Sequence, residues 1–227
     1  MSAPAPGHLT GQALATWAAG DPREAMWIER VATGLVEWFR RGEGPIAFQT
    51  ARVLFLATMP QDPPTAADLE RIAGDYARTH PRSAGADPLT RIPGLAAAVS
   101  SLAIDDRDLA AAAMQACRLT HVDPEVVQAC ALWVIRMRHA DAAAPPEAVV
   151  DRALRALAAT GASSQTCDRW AGRLEIARRP DPPPDGGYAV TCLLRAWWAA
   201  EPGRTDDLPP TDLTAGLVRA IRRAAAR

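Results

Sequence analysis

The strongest constraint on the fold is a repeated pattern of alanine-rich segments with helical hydrophobic spacing, separated by joints rich in proline and glycine. Most of the 20 prolines fall in these joints or where a first helical turn begins, the positions at which proline is tolerated. Alanine has the highest helix propensity and lets helix axes approach closely. No segment shows convincing strand alternation. The sequence therefore predicts a single compact all-α domain over residues 1–227, with residues 1–8 flexible.

The proline-rich joints divide the chain into its predicted helices. These span residues 10–19, 22–41, 46–58, 65–79, 93–102, 106–118, 124–140, 146–159, 163–178, 187–200 and 211–225. The connections at 80–92 and 179–187 are longer and less regular than the others. We find no repeat of about 34 residues, so the pattern does not indicate a helical solenoid.

Composition excludes several function classes. A formal net charge of −1 argues against a nucleic-acid-binding protein. No run of about 18 apolar residues and no signal peptide is present, so we expect a cytoplasmic protein without membrane association. The chain contains neither lysine nor asparagine, which removes a lysine nucleophile and an asparagine ligand from consideration. The four cysteines show no CxxC spacing and are predicted to be buried free thiols.

The joint "THVDP" at 120–124 has a local explanation for only part of its sequence. Asp123 is a good N-cap, and Pro124 suits the first position of the helix that follows. Neither role explains the preceding Thr120 and His121. The histidine either lines a ligand cleft or is a structural residue of the joint, and the sequence leaves both open.

Four motifs, in order, resemble the ADP-ribosylglycohydrolase family of the dinitrogenase-reductase-activating type. They are "DPREAMWIERVATGLVEWFRRGEGPIAFQTARVL", "SAGADPLTRIPGLAAAV", "RLTHVDPEVVQACALWV" and "GGYAVTCLLRAWWAA". That family has an all-α fold and cleaves ADP-ribose from its acceptor with a pair of divalent metals, magnesium or manganese. The resemblance therefore implies the same fold for this chain.

The resemblance also implies a set of ligand-binding positions. Arg91 can bind a phosphate through its guanidinium. The helix that starts after Gly187 can bind a phosphate on its free N–H groups, and Tyr188 can stack on a base. The full implied set is Thr10, Gly85, Arg91, His121, Asp123, Gly187 and Tyr188.

The metal-binding motifs of the family depart most from this sequence. At the first, a "TDDT"-type motif, Thr10 matches while Gly11 and Gln12 stand in place of the acids. The second, a "GGDADT"-type motif, is expected near residue 224, where the chain reads "RRAAAR". Magnesium-type ions require several oxygen ligands, mostly carboxylates. We therefore expect no metal ligands, no catalytic residues and no cofactor.

Three functions remain open at this stage. The first is an ADP-ribosylglycohydrolase-like protein that has lost its two-metal centre, a pseudoenzyme, and still binds ADP-ribose or a related nucleotide. The second is a non-catalytic helical module that acts through a protein partner or as a homo-oligomer. The third is an active metal-dependent ADP-ribosyl hydrolase whose ligands lie elsewhere, with Asp206, Asp207 and Asp212 as the first candidates.

Overall fold

A computed structural model describes residues 11–140, 145–184, 186–201, 204 and 217. The predictions for residues 1–8, Thr10, the three aspartates at 206, 207 and 212, and most of the helix at 211–225 lie outside the described residues. Within the described ranges there is no β-strand, only an isolated antiparallel bridge between Gly85 and Tyr188. The prediction of an all-α fold is confirmed.

The described helices follow the predicted order closely. They are α1 Gln12–Ala18, α2 Trp27–Arg41, α3 Phe48–Ala57, α4 Ala66–Thr79, a 3-10 helix Asp87–Arg91, α5 Ile92–Ala98, α6 Asp106–Arg118, α7 Pro124–Arg138, α8 Pro146–Ala159, α9 Ser164–Ile176 and α10 Ala189–Ala199.

Helix α5 ends at Ala98 rather than at residue 102, and two further predictions are wrong for identifiable reasons. Helix α2 begins at Trp27 rather than at residue 22, because the Asp21 carboxylate accepts the backbone N–H of Arg23 at 2.9 Å. Such a local side-chain bond stabilises a turn in competition with a helix. The 80–92 connection is also less irregular than predicted, since its last residues form the 3-10 helix that runs directly into α5.

Helix α7 lies at the centre of the fold. Every residue from 129 to 137 is buried, and the helix packs against α5, α6, α8 and α10. An amphipathic stripe would leave one face exposed, so this burial shows a helix surrounded on all sides. The beginning of α7, directly after the 120–123 joint, is consequently fixed by the core.

Helices α1 and α5 approach each other closely through a glycine. A Cβ at Gly94 would lie 1.8 Å from the backbone oxygen of Ala13, so no other residue fits there without movement of the backbone. This contact sets the start of α1 beside the 3-10 helix, which brings Gln12 to Asp87 and Arg91.

The four cysteines form no disulfide with one another, as predicted, and the predicted burial holds for three of them. Cys117, Cys130 and Cys192 are buried and Cys167 is partly exposed. None of the described helices combines the length and the apolar character needed to cross a bilayer.

Candidate functional site

Three segments that are far apart in sequence meet at one place. The backbone N–H of Ala86 donates to the oxygen of Gly187 at 3.2 Å, and that of Ala189 donates to the oxygen of Ala84 at 3.0 Å. On the other side, a Cβ added at Gly85 would lie 3.8 Å from Nε2 of His121. The 83–91 segment, the 120–123 joint and the start of α10 therefore converge.

A wholly buried arginine organises the inner part of this junction. Arg91 donates from Nε to Oε1 of Gln12 at 3.0 Å, from Nη1 to the backbone oxygen of Ala116 at 2.8 Å and from Nη2 to Oγ1 of Thr120 at 2.9 Å. Burial lowers the pKa of this guanidinium, and the nearby Asp87 carboxylate opposes that effect. Arg91 thus ties α1, α6 and the 120–123 joint to the 3-10 helix.

Gln12 is saturated by its neighbours in this network. Its Oε1 accepts from Arg91, and its Nε2 donates to Oδ2 of Asp87 at 2.7 Å. The same carboxylate oxygen accepts the hydroxyl of Thr50. The carboxamide therefore connects a buried cation to a buried carboxylate. Its single oxygen is already used by the guanidinium of Arg91.

His121 is fully buried and presents one ring nitrogen without a partner among the described residues. Its Nδ1 lies 3.0 Å from Oγ1 of Thr120. The Thr120 hydroxyl accepts from Nη2 of Arg91, and the ring tautomer sets whether it donates to Nδ1 or accepts from it. The other ring nitrogen, Nε2, has no hydrogen-bond partner among the described residues. Burial, and then the charge of Arg91, lower the pKa of His121 to about 3, so the ring is neutral at pH 7.

A second hydrogen-bonded chain links the junction to the surface. Nε2 of Gln49 donates to the backbone oxygen of Thr120 at 2.9 Å, and Oγ of Ser83 donates to Oε1 of Gln49 at 2.6 Å. Ser83 also lines an open surface depression together with residues 80–82. The loop that carries Gly85 is thereby held against the joint from two directions.

The outer part of the junction carries charged groups that are partly exposed. Oδ1 of Asp123 accepts the N–H groups of Glu125 at 2.9 Å and Val126 at 3.1 Å, which confirms its role as the N-cap of α7. The Tyr188 hydroxyl donates to the Glu125 carboxylate, which also accepts from Nη2 of Arg173 at 2.8 Å. We name these three residues, Glu125, Arg173 and Tyr188, the surface network.

Sequence reasoning found part of this site and missed part of it. Six of the seven predicted ligand-binding residues lie at the junction: Gly85, Arg91, His121, Asp123, Gly187 and Tyr188. The seventh, Thr10, is outside the described residues. The resemblance assigned no role to Thr50, Asp87 or Glu125. A polar residue inside an apolar helical segment is the only sequence signal for Thr50, and Asp87 falls in a segment interpreted as an irregular loop.

A divalent metal does not fit the described residues of this site. In the described ranges, no three side chains of His, Cys, Asp or Glu form a group that could hold a metal ion. The carboxamide oxygen of Gln12 already accepts from the guanidinium of Arg91. A cation beside that oxygen would meet the guanidinium charge at close range.

Comparison with known proteins identifies the family. No curated protein and no solved structure matches the chain significantly. The family model for ADP-ribosylglycohydrolases matches residues 7–225, a range that contains the whole junction described above. The chain therefore belongs to the ADP-ribosylglycohydrolase family.

Proposed function

We propose that this chain binds an ADP-ribose-type ligand at the junction and does not hydrolyse it, because it lacks the two-metal centre of its family. The observation that carries the proposal is the saturation of Gln12 between Arg91 and Asp87. A neutral carboxamide replaces an acid there, and both of its ends are engaged. Neutral groups compensate poorly for the loss of water from a small divalent ion. Without such ions, water at the glycosidic bond is neither activated nor held.

Ligand binding is supported by the unpartnered ring nitrogen of His121. Its Nε2 is buried beneath Gly85, and glycine leaves open the space that a side chain would fill. A buried polar atom without a partner costs about 1 to 3 kcal/mol, and a ribose hydroxyl, which can donate or accept, would remove that cost. In this proposal Arg91 acts through Thr120 and His121, since its own guanidinium is fully enclosed.

Tyr188 and the helix start that follows Gly187 complete the proposed ligand site. The N–H of Ala189 is engaged by Ala84, and the N–H groups that follow it in the first turn of α10 favour a phosphate. Tyr188 is 37% exposed as a residue, and its ring offers a face for a base. Asp123 contributes by capping α7 and so fixes the position of the joint that carries His121.

The test is calorimetric titration of the wild-type chain with ADP-ribose, in the presence of magnesium and again in the presence of a chelator. We expect the same affinity under both conditions and no release of ADP-ribose from modified arginine or serine substrates. The Gly85→Ala variant should remain folded and bind at least tenfold more weakly, since its methyl group would lie 3.8 Å from Nε2 of His121 and occupy the space proposed for the ligand.

Each of the other functions gives a different result in this experiment. Turnover that disappears on chelation would show an active metal-dependent hydrolase, and Asp206, Asp207 and Asp212 would then be mutated first. Absence of any ADP-ribose binding would favour the non-catalytic interaction module. Either result contradicts the proposal.

We also propose that the chain is a single domain. Buried residues from α1 to α10, together with Leu217, belong to one continuous hydrophobic cluster. Such a chain should unfold in one cooperative transition, with fluorescence and far-UV circular dichroism giving the same midpoint. Two separate transitions would show two units.

A further inference from the structure

Tyr188 is held both through its backbone and through its side chain. Its backbone forms the isolated bridge with Gly85, and its hydroxyl donates to Glu125 in the first turn of α7. These partners belong to different elements, so the residue spans the interval between the 83–91 segment and α7. With the hydroxyl engaged, the ring is the part of the side chain that remains for a ligand.

The acceptor of this bond is itself fixed. Glu125 accepts from Nη2 of Arg173 at 2.8 Å. The Arg173 guanidinium carbon lies 5.1 Å from the centroid of the Trp170 ring, and Trp170 donates from Nε1 to Oε1 of Gln128 at 2.7 Å. Arg173 of helix α9 therefore holds Oε1 of the Glu125 carboxylate, while Tyr188 donates to Oε2.

The protonation states suit a strong hydrogen bond. Partial burial raises the pKa of Glu125, but hydrogen bonds from Tyr188 and Arg173 outweigh this and lower it overall. Burial first, and then the bond to Glu125, raise the pKa of Tyr188, and the charges of Asp123 and Arg173 act on it in opposite directions. At neutral pH a neutral phenol thus donates to a charged carboxylate, which is stronger than a bond between neutral groups.

We propose that Glu125, held by Arg173, is a positioning residue that fixes the ring of Tyr188 in the orientation that stacks on the planar base of a nucleotide ligand. This inference rests on the proposed function and adds to it a specificity for ligands with an aromatic base. A ring fixed before binding loses less conformational entropy when the ligand arrives, and this loss is one of the costs that limit affinity.

The charge of Glu125 makes its effect on binding diagnostic. ADP-ribose carries a negatively charged diphosphate, so removal of a nearby carboxylate would raise affinity if Glu125 acted only through its charge. If it positions Tyr188, the Glu125→Gln variant binds more weakly, by roughly tenfold. The two roles therefore predict opposite signs.

The experiment combines binding with a spectroscopic measurement on Tyr188. Calorimetry with ADP-ribose compares wild type, Glu125→Gln, Tyr188→Phe and the double variant. The matched control is Glu147→Gln, which removes a carboxylate from an ion pair with Arg178 away from the junction. The chain has two tyrosines, so a Tyr76→Phe background leaves Tyr188 as the only phenol in a 295 nm absorbance titration, with circular dichroism recorded in parallel.

We expect Glu125→Gln and Tyr188→Phe each to weaken binding about tenfold, the double variant to be no worse, and Glu147→Gln to match wild type. Glu125→Gln should also lower the pKa of Tyr188 by about one unit or more while the protein stays folded. Ribose 5-phosphate, which lacks the base, should not distinguish the variants.

Several results would overturn the inference. Unchanged or tighter binding by Glu125→Gln, with wild type binding normally, refutes this inference alone and leaves the proposed function intact. If the pKa of Tyr188 is the same in Glu125→Gln as in wild type, the hydrogen bond between Tyr188 and Glu125 is refuted, and the inference with it. No binding of ADP-ribose by wild type refutes the proposed function and this inference together.

Discussion

Two arginines organise the junction, and they are held in different ways. Arg91 is completely buried and donates to neutral oxygens of Gln12, Ala116 and Thr120. The Asp87 carboxylate is connected to it through Gln12, whose Nε2 donates to Asp87. Arg173 is 26% exposed in its side chain and pairs directly with Glu125. We call the first set, Gln12, Asp87, Arg91, Thr120 and His121, the inner network, in contrast to the surface network.

The difference shows what each network is suited to do. A cation in a low-dielectric interior is costly unless all its donors are paired, so the inner network is rigid and intolerant of change. Solvent screens the surface network, which makes its contribution to stability small and leaves Tyr188 available to a ligand. The inner network therefore fixes the geometry of the junction. The surface network holds Tyr188, which stays accessible to a ligand.

The largest expected effect is loss of the buried arginine. Arg91→Met should reduce the free energy of unfolding by about 3 to 5 kcal/mol, because it leaves the Asp87 carboxylate buried without its cation. Arg173→Met, the matched change in the surface network, should cost less than about 1 kcal/mol. Urea denaturation at pH 7 measures both, and equal losses would remove the distinction between the networks.

A second comparison uses two glycines of the same region. Gly94→Ala should destabilise the chain by about 3 kcal/mol, because its methyl group would meet the backbone of Ala13 and separate α1 from α5. Gly85→Ala should change stability by less than about 0.5 kcal/mol, since its methyl group would be in ordinary contact with His121. Thermal and urea unfolding would test this, and a stable Gly94→Ala variant would show that the helices can separate cheaply.

The buried histidine predicts a pH dependence of stability. The pKa of His121 is about 3 in the folded chain and about 6.5 in a model peptide, so the unfolded chain takes up the proton first as pH falls. The contribution is complete above pH 6.5 and is lost progressively between pH 6.5 and about 3. From pH 7 to pH 4.5, wild type should lose about 2 to 3 kcal/mol more than His121→Gln.

Paired urea titrations of the two proteins at these pH values measure this difference. Carboxylates that titrate in the same range affect both proteins alike, so they cancel from the comparison. Parallel pH profiles of wild type and His121→Gln would show that the ring is not buried in its neutral form.

A small effect on stability is also expected in the surface network. Tyr188→Phe should change the free energy of unfolding by less than about 1 kcal/mol, since the residue is partly exposed and the lost hydrogen bond is offset by water. The measurement is urea denaturation beside wild type. A loss above about 2 kcal/mol would mean that Tyr188 belongs energetically to the inner network.

Sequence reasoning predicted the features of the site that depend on neighbouring residues. The Asp123 cap is confirmed because it needs only its own side chain and the N–H groups two and three residues ahead. The start of α2 was misjudged by the same kind of reasoning, since the bond from Arg23 to Asp21 competes with the helix. The family resemblance located Gly85, His121 and Tyr188, but gave no indication of how their side chains are engaged.

The sequence by itself determined the helices, their caps and their proline-rich joints, since hydrophobic periodicity and backbone preferences are encoded within one or two turns. Only the tertiary structure decided that Gln12 bonds to Asp87, 75 residues away, and that Arg91 bonds to Gln12, 79 residues away. These partners meet because α1 and α5 touch at Gly94. A polar side chain gains or loses its function according to which distant donors and acceptors satisfy it, and that depends on how the helices pack.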